Sequence, residues 1–377
     1  MRDVVILGVG MTNFGRFPEK TMAQLMAEAM VYSLKDAGVS WKDIPAMYCA
    51  HSIGGMVDGQ LAEAQIGHIG IPIINMSNMC AGGNSTVVLG CQAVATGIYD
   101  MIAIVGGDKV QAAHGPVGGG GPPRPQGIMG ATTMLSKYAM KTQRAIYERR
   151  YTLDQIAWAS VKNHNNACLN PRAQYKIPMK GPQDVHNARM VCDPMTLYHC
   201  CPTTDGAAAI ILCTRAVARK YARPPFITVA GGAITSQRYI KGEDADTRDV
   251  TERAAKRAYE MAGIDPEDVD VVELHDNFAV SELEHIADLL LCRDNEVGPM
   301  MERGDFNIDG KIAVNPSGGL LGKGHPTGGT GIAHMCEFTW QLRGQAGQRQ
   351  TKDPKVAVSQ MAGGDEGMAA CVAVVKK

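Results

Sequence analysis

Two stretches of this chain, AGVSWKDI at residues 37–44 and AGIDPEDV at residues 262–269, share one pattern in different halves of the sequence. In both, an amphipathic segment reaches a glycine, Gly38 or Gly263, and glycine at that position typically closes a helix. Similarly, CAGGNS at residues 80–85 resembles PTGGTG at residues 326–331, and each opens a helix-like segment. A duplicated α/β unit explains both similarities. Chance is the alternative, because the chain holds 43 glycines.

The segments around these stretches alternate between short β-branched runs and amphipathic runs. This order is typical of βαβ units and a mainly parallel sheet. The expected strands are residues 4–7, 101–105, 226–229 and 269–274, and the expected helices are residues 22–37, 85–98 and 250–262. The predicted fold class is therefore α/β with two similar βαβ-type halves, residues 1–225 and residues 226–377.

A glycine- and proline-rich segment interrupts this symmetry. Four glycines at residues 118–121 and the sequence PPRP at residues 122–125 are incompatible with a helix or a central strand. We therefore expect a loop-rich insertion over about residues 115–200, within the first half, before the chain returns to the sheet at residues 207–212. Long insertions of this kind typically serve as lids, partner surfaces or binding loops.

Composition excludes several classes of function. The 37 Lys and Arg residues against 38 Asp and Glu residues leave no basic excess for binding nucleic acid. The eleven cysteines are odd in number and follow no spacing framework, which suits a reducing compartment. The N-terminal apolar stretch is too short for a signal peptide, and no apolar run approaches the ~18 residues of a membrane span. These features predict a cytoplasmic protein.

Cys80 is the first candidate for chemistry, because it directly precedes a predicted helix. A thiol at a helix N-terminus meets the positive end of the helix dipole and free backbone N–H groups, which favour the thiolate. The adjacent Gly82 and Gly83 leave room for a substrate. The alternative is a buried structural cysteine, as expected for most of the other ten.

Two histidines complete a candidate site. His325 precedes a predicted helix and falls opposite Met79 in the internal repeat, so a pseudo-twofold axis would place it beside Cys80. His275 follows a predicted strand, at the carboxyl end where open α/β sheets bind ligands. A nucleophile with imidazole partners is the minimal set for acyl transfer. A metal site is not expected, since the only other cysteine and histidine cluster has no structural zinc spacing; it comprises Cys192, His199, Cys200 and Cys201.

Five motifs, spread over nearly the whole chain, together resemble those of the thiolase superfamily, and most closely those of its sterol-carrier-protein-x-like branch. They are GVGMTNFG at residues 8–15, NMCAGG at 78–83, CPTTDGAAA at 201–209, HDNF at 275–278, and NPSGG at 315–319 leading to GHP at 324–326. No single motif is specific, but the set is. The resemblance implies an acetyl-CoA acetyltransferase-like enzyme with the five-layered αβαβα thiolase fold.

The resemblance also implies roles for individual residues. Cys80 would be the acylated nucleophile, His325 would activate it, and His275 and His325 together would stabilise the enolate oxygen of the thioester. The backbone N–H groups of Cys80 and Gly363 would form a second oxyanion hole. Coenzyme A would be a substrate, and no bound cofactor or metal is implied.

Two positions depart from the family pattern. The C-terminal cysteine that the family uses as a second catalytic thiol aligns with Met361, and the alternative cysteine of the sterol-carrier branch aligns with Asn277. Another group must therefore move the second proton. The candidates are His275 or His325, and then Asp365 or Glu366, whose pKa would have to be raised by burial.

The sequence thus predicts an acyltransferase that cleaves a β-ketoacyl-CoA with coenzyme A, or runs the reverse Claisen condensation, through an acyl-cysteine intermediate. Three alternatives stay open. They are a coenzyme A-ester retro-aldolase that acts with a small OB-fold and zinc-ribbon partner, a ketoacyl-synthase-like condensing enzyme, and a scaffolding subunit that only binds acyl-CoA. The resemblance also implies a homodimer or higher oligomer, with the OB-fold protein as a candidate partner subunit and no nucleic-acid or membrane partner.

Overall fold

The computed structural model describes residues 2–109, 128, 130–131, 133–222, 225–238, 247–364 and 367–377. The strands are β1 (Val4–Met11), β2 (Met47–Ala50), β3 (Ile73–Met76), β4 (Met101–Lys109), β5 (Met190–Cys192), β6 (Met195–Thr196), β7 (Asp205–Thr214), β8 (Thr228–Ser236), β9 (Val271–Glu273), β10 (Ala313–Val314), β11 (Val356–Gly363) and β12 (Ala369–Lys376). The helices are α1 (Met22–Ala37), α2 (Asp58–Ile66), α3 (Gly82–Thr96), α4 (Met134–Tyr147), α5 (Leu153–Cys168), α6 (Pro182–His186), α7 (Arg215–Tyr221), α8 (Thr247–Ala262), α9 (Ala279–Asp288), α10 (Asp294–Arg303) and α11 (Thr327–Arg343).

The main sheet consists of two five-stranded halves with the same internal order. The first half runs β3-β2-β4-β7-β1 and the second runs β10-β9-β11-β12-β8. In each half the first three strands pair in parallel. The fourth strand, β7 or β12, runs antiparallel to both of its neighbours in that half. The halves meet where β1 pairs with β8 through Val5 and Thr228. An approximate twofold axis therefore passes between these two strands.

The internal repeat is visible in the elements themselves. Helices α1 and α8 each contain 16 residues and each is followed by a glycine with positive φ, 68° at Gly38 and 60° at Gly263. A short 3₁₀ turn follows both glycines, at Trp41–Asp43 and Pro266–Asp268, before a buried strand begins. Together with the strand order, this confirms the predicted α/β class with two similar halves.

Helices cover both outer faces of the sheets and fill the space between the two halves. Helix α1 packs on β1, β7 and β4, and α8 packs on β8 and β12. Between the halves, α3 and α11 contact each other and strands of both. Their side chains, among them Val87 and Ile332, share one apolar cluster with Ile210 of the first half and Val375 of the second. This gives five layers, helix, sheet, helix, sheet, helix, as predicted.

The insertion differs from the loop-rich segment that the sequence predicts. Helices α4 and α5 occupy much of it, with the short helix α6 and the hairpin β5–β6 after them. The side chain of Thr133 caps α4, and Thr152 forms a capping box with Gln155 at the start of α5. That box was a readable helix start in the sequence. The glycine run at residues 118–121 lies outside the described residues.

Element boundaries shift by a few residues elsewhere. Helix α3 begins at Gly82, three positions before the predicted start, and the predicted return to the sheet at residues 207–212 lies inside β7. Helix α3 starts early because its first turn crosses the first turn of α11 at very short range. A Cβ atom on Gly331 would lie 2.4 Å from the backbone nitrogen of Asn84, and one on Gly83 would lie 2.9 Å from the carbonyl oxygen of Gly328. Only glycine permits this approach.

Candidate active site

Cys80, His275 and His325, the three residues singled out as catalytic from the sequence, meet in one place. The thiol sulfur and one ring nitrogen of each histidine lie within 4.8 Å of one another. The two imidazole rings stand edge to face with centroids 5.3 Å apart. Cys80 lies two residues before α3, His325 lies two residues before α11, and His275 follows β9. The glycine crossing of α3 and α11 brings the first two together from opposite halves of the chain.

A strained turn holds Cys80 in place. Met79 has a φ of 49°, a left-handed conformation that costs a non-glycine residue of order 1 kcal/mol. The Oγ atom of Ser52 donates a hydrogen bond of 2.9 Å to the Met79 carbonyl, and the Asn78 side chain donates one of 3.0 Å to Ser85. These contacts fix the direction of the Cys80 side chain at the start of α3.

Burial opposes the effect of the helix N-terminus at Cys80. Burial raises the pKa of the thiol to about 12, and the nearby carboxylate of Asp108 acts in the same direction. These effects outweigh the free N–H groups at the start of α3, because an unpaired thiolate loses its hydration when it is surrounded by protein. Cys80 is therefore a neutral thiol at rest, and it needs a base.

Hydrogen bonding fixes the tautomer of His325. Its Nδ1 atom lies 2.8 Å from Oγ1 of Thr330, and that hydroxyl donates its own proton to the Pro326 carbonyl at 2.9 Å. The Thr330 oxygen therefore accepts, and Nδ1 must carry the hydrogen. Nε2 keeps its lone pair and has no hydrogen-bond partner among the described residues. Burial, with Lys323 nearby, lowers the pKa of His325 to about 3.

His275 presents an imidazole with both nitrogens unpaired in the described part of the chain. The side chain is buried, and burial, followed by the proximity of His325, holds its pKa well below the ordinary value. The backbone N–H of His275 donates to the Gln360 side chain at 3.1 Å, which fixes the residue between β9 and β11. A buried polar ring without partners is costly unless a ligand supplies them.

A buried carboxylate ties the end of β4 to α11. Asp108 accepts hydrogen bonds from the backbone N–H groups of Ser52, Ile53 and Gly328. The first two follow β2, and the third lies in the first turn of α11. Asp108 therefore holds the helix that carries His325 against the strand ends near Cys80.

Gly363, predicted to contribute to an oxyanion hole, lies against the Cys80 turn. A Cβ atom at this position would lie 2.5 Å from the Asn78 carbonyl oxygen and 3.1 Å from the Ala81 nitrogen, so the two backbones are in direct contact. The catalytic role of its N–H group stays a prediction. Asp365 and Glu366, the other candidates for acid/base chemistry, lie outside the described residues.

The two positions without the expected thiols have different environments. Met361 lies on β11 and is fully buried in the cluster between the halves. Asn277 is also buried, but its Oδ1 atom has no hydrogen-bond partner in the described region. The side chain at position 277 therefore has a buried amide oxygen without a hydrogen-bond partner among the described residues. The side chain at position 361 contains only hydrocarbon and sulfur.

Sequence reasoning missed Tyr138. It lies on α4, inside the segment predicted as loops, and its ring stacks on Phe278 with centroids 4.2 Å apart. The Asn277 side chain and the Cys80 thiol both act on the pKa of its phenol. The only sequence signal was the amphipathic pattern of residues 134–147, which identifies a helix but not what it contacts.

Cys80, His275 and His325 are also the donors that could hold a metal ion in the described part of the chain. A sulfur and two nitrogens are ligands that zinc accepts. The expected absence of a metal stays a prediction. The rejected set of Cys192, His199, Cys200 and Cys201 forms no metal-ligand group within the described ranges. No helix in those ranges is long and apolar enough to cross a membrane.

Comparison with known proteins extends this picture. A family model described as thiolase, N-terminal domain, matches residues 4–216, and one described as thiolase C-terminal domain-like matches residues 231–377. An acetyl-CoA acetyltransferase of Methanothermobacter thermautotrophicus is 38% identical over 98% of both chains. Benzoylsuccinyl-CoA thiolase subunit BbsB of Thauera aromatica is 35% identical over 96% of this chain and 95% of its own. Sterol carrier protein 2 of Bos taurus is 32% identical over 94% of this chain and 69% of its own.

Solved structures share the fold. The Ltp2-ChsH2(DUF35) aldolase superposes with a TM-score of 0.85 at 22% identity, covering 99% of this chain and 97% of the other. Human mitochondrial 3-ketoacyl-CoA thiolase superposes with a TM-score of 0.74 at 16% identity, covering 100% of this chain and 99% of the other.

Proposed function

Since this chain belongs to the thiolase superfamily and is an acetyl-CoA acetyltransferase-like enzyme, we propose that it transfers acyl groups between a β-ketoacyl-CoA and coenzyme A through an acyl-cysteine at Cys80. The observation that carries the proposal is the cluster of Cys80, His275 and His325 within 4.8 Å. The reverse Claisen condensation uses the same groups.

The first step is activation of Cys80 by His325. The Nε2 lone pair takes the thiol proton while the sulfur attacks the β-keto carbon, so the charge separates only as the new bond forms. A neutral thiol beside a neutral imidazole suits this order, because neither group is charged in its buried resting state. The Thr330 contact keeps Nδ1–H of His325 in place as the ring becomes an imidazolium.

The second step is cleavage of the carbon–carbon bond. Its electron pair moves to the α-carbon and the thioester oxygen, and the N–H groups of His275 and of the protonated His325 would stabilise this enolate. The unpaired ring nitrogens of His275 give it the free capacity for that role. The N–H groups of Cys80 and Gly363 would bind the oxygen of the tetrahedral intermediate at Cys80. Removal of one such donor typically lowers turnover by about two to three orders of magnitude.

Intact-mass analysis after incubation with a panel of β-ketoacyl-CoAs tests the proposal. We expect a mass increase equal to one acyl group, located on Cys80 by peptide mapping and absent from the Cys80→Ser variant. Coenzyme A should then release the adduct as acyl-CoA. The absence of any adduct with every β-ketoacyl-CoA, under conditions where the protein turns substrate over, would refute the acyl-cysteine mechanism.

A retro-aldolase is the second candidate. The specific observation in its favour is the pair of positions without a second thiol, Asn277 and Met361. The structural neighbour named as an aldolase shares the fold and is no evidence of activity at 22% identity. A retro-aldolase would release a carbonyl product without consuming coenzyme A, whereas the proposed thiolase consumes one coenzyme A for each bond cleaved.

The proposed assembly is a homodimer or higher oligomer, with a small OB-fold and zinc-ribbon protein as partner subunit. One relative is named as a thiolase subunit, and the name of the aldolase structure includes a DUF35 component. Light scattering of the purified protein, alone and with such a partner, tests this. A fully active monomer would contradict both parts.

A further inference from the structure

The proposed reaction moves two protons, and the three central residues account for one of them. His325 takes the proton of Cys80 and returns it when the acyl group leaves. The α-carbon needs a second proton after the bond breaks, and the incoming coenzyme A must lose one before it attacks. Asn277 and Met361, at the positions of the family's second thiol, have no ionisable hydrogen to give.

A phenol lies next to one of these positions. Tyr138 is 5% exposed, and its ring is held between Phe278, at a centroid distance of 4.2 Å, and the ammonium group of Lys141, at 5.6 Å. Phe278 directly follows Asn277 in the chain, and the Asn277 side chain acts on the pKa of the phenol. Tyr138 is thus packed against the residue next to position 277, where the second thiol of the family would stand.

We propose that Tyr138 is the acid/base that exchanges a proton with the α-carbon, an inference that rests on the proposed acyl transfer. As the carbon–carbon bond breaks, its electron pair takes the proton of the Tyr138 hydroxyl, which completes the first acyl-CoA product. The phenolate then takes the proton of the second coenzyme A thiol, whose sulfur attacks the acyl group on Cys80. The Cys80 sulfur leaves and recovers its proton from His325, so every group returns to its starting state.

The surroundings of Tyr138 fit both halves of this cycle. Burial raises the pKa of the phenol, so it is protonated when the substrate arrives. Lys141 and the Asn277 amide act in the opposite direction and stabilise the phenolate once it forms. Glu284 binds Lys141 at 2.5 Å and holds its ammonium group over the ring.

Cys201 is the competing group. Its backbone N–H donates to the Asn277 carbonyl at 2.9 Å, and its thiol also lies within electrostatic range of Cys80. Burial raises the pKa of this thiol, and the charged neighbour that acts on it is the Asp276 carboxylate, which opposes a thiolate. Tyr138 instead has a cation, Lys141, whose effect on the pKa of the phenol exceeds the opposite effect of the Glu284 carboxylate. The charges around Tyr138 therefore favour it as the group that can lose and regain a proton.

The test compares the Tyr138→Phe variant with the wild-type enzyme in two separate steps. Phenylalanine keeps the stacking on Phe278 and removes only the hydroxyl. Acylation of Cys80 by acetyl-CoA is followed by intact mass, and proton exchange at the α-carbon is followed by deuterium uptake into acetyl-CoA. We expect acylation within about threefold of wild type and exchange lowered by about two orders of magnitude or more, the range of general acid–base catalysis. The Tyr138→Phe/Asn277→Cys variant should recover part of the exchange by restoring a thiol.

The matched control is Tyr259→Phe, which removes another buried hydroxyl, one that donates to the Leu289 carbonyl at 2.9 Å. It should change neither step. Exchange within threefold of wild type in Tyr138→Phe would overturn the assignment, and a loss confined to Cys201→Ser would transfer it to that thiol. Equal loss of both steps in Tyr138→Phe would also overturn it, since a structural role would then suffice. Failure of the wild-type enzyme to acylate Cys80 would instead refute the proposed function.

Discussion

The hydroxyl of Thr330 should control the reactivity of Cys80 without touching the substrate. It accepts the Nδ1–H of His325 at 2.8 Å and thereby keeps the lone pair on Nε2, which has no partner among the described residues. In a Thr330→Val variant the Nδ1–H tautomer leaves a buried donor unpaired, at a cost of about 1–3 kcal/mol. The preference for a free lone pair on Nε2 is then lost, and the imidazolium that forms when Nε2 takes the thiol proton also leaves its Nδ1–H unpaired.

The expected size of the effect follows from that cost. Each 1.36 kcal/mol is a factor of ten in rate, so acylation of Cys80 should slow by about 5- to 150-fold. The assay is single-turnover acylation by acetyl-CoA followed by intact mass, and Thr330→Ser should restore most of the rate. Thr339→Val is the control, because it removes another buried hydroxyl of α11, bonded at 2.8 Å to the Met335 carbonyl. Acylation by Thr330→Val at the wild-type rate would refute the tautomer argument.

Three further predictions concern the same site. His325→Ala should abolish acylation of Cys80, whereas His275→Ala should leave acylation intact and slow the carbon–carbon step, because enolate stabilisation is needed only there; loss of acylation in His275→Ala, in single-turnover mass spectrometry, would contradict this division. Because burial raises the pKa of the Cys80 thiol to about 12 and lowers that of His325 to about 3, the thiolate fraction should rise tenfold per pH unit through neutrality; iodoacetamide labelling that reaches a plateau below pH 8 would show a thiolate already formed. Gly331→Ala should separate α3 from α11, since its Cβ would lie 2.4 Å from the backbone nitrogen of Asn84. We expect a loss of about 1–3 kcal/mol of stability and of most of the activity. Thermal unfolding measures the stability, and Gly181→Ala is the control because no atom lies within 4 Å of the Cβ position there.

Local signals in the sequence predicted the parts of the fold that depend on local chemistry. Gly38 and Gly263 marked the ends of two equivalent helices because the left-handed conformation at a helix end favours glycine. Cys80 and His325 could be paired because the internal repeat placed them at equivalent turns. The early start of α3 could not be predicted, since it depends on contact between Gly83 and a helix in the other half of the chain.

The site also depends on properties that have no local signal. Burial raises the pKa of the Cys80 thiol and so opposes the effect of the helix N-terminus, and this burial has no signal in the surrounding sequence. Tyr138 was missed because its position relative to Phe278 is set by packing of the insertion against the second half. Tertiary contacts of this kind decide which side chains of a correctly predicted helix reach a site.

The crossing of α3 and α11 constrains how such an enzyme could have arisen. Two identical units related by an exact twofold axis would carry the same residues at both helix starts. One cysteine at Cys80 and one histidine at His325 therefore require two copies that differ, as copies within one chain can. The division of labour between Cys80 and His325 reflects this divergence, whereas residues 37–44 and residues 262–269 keep the likeness of the two copies.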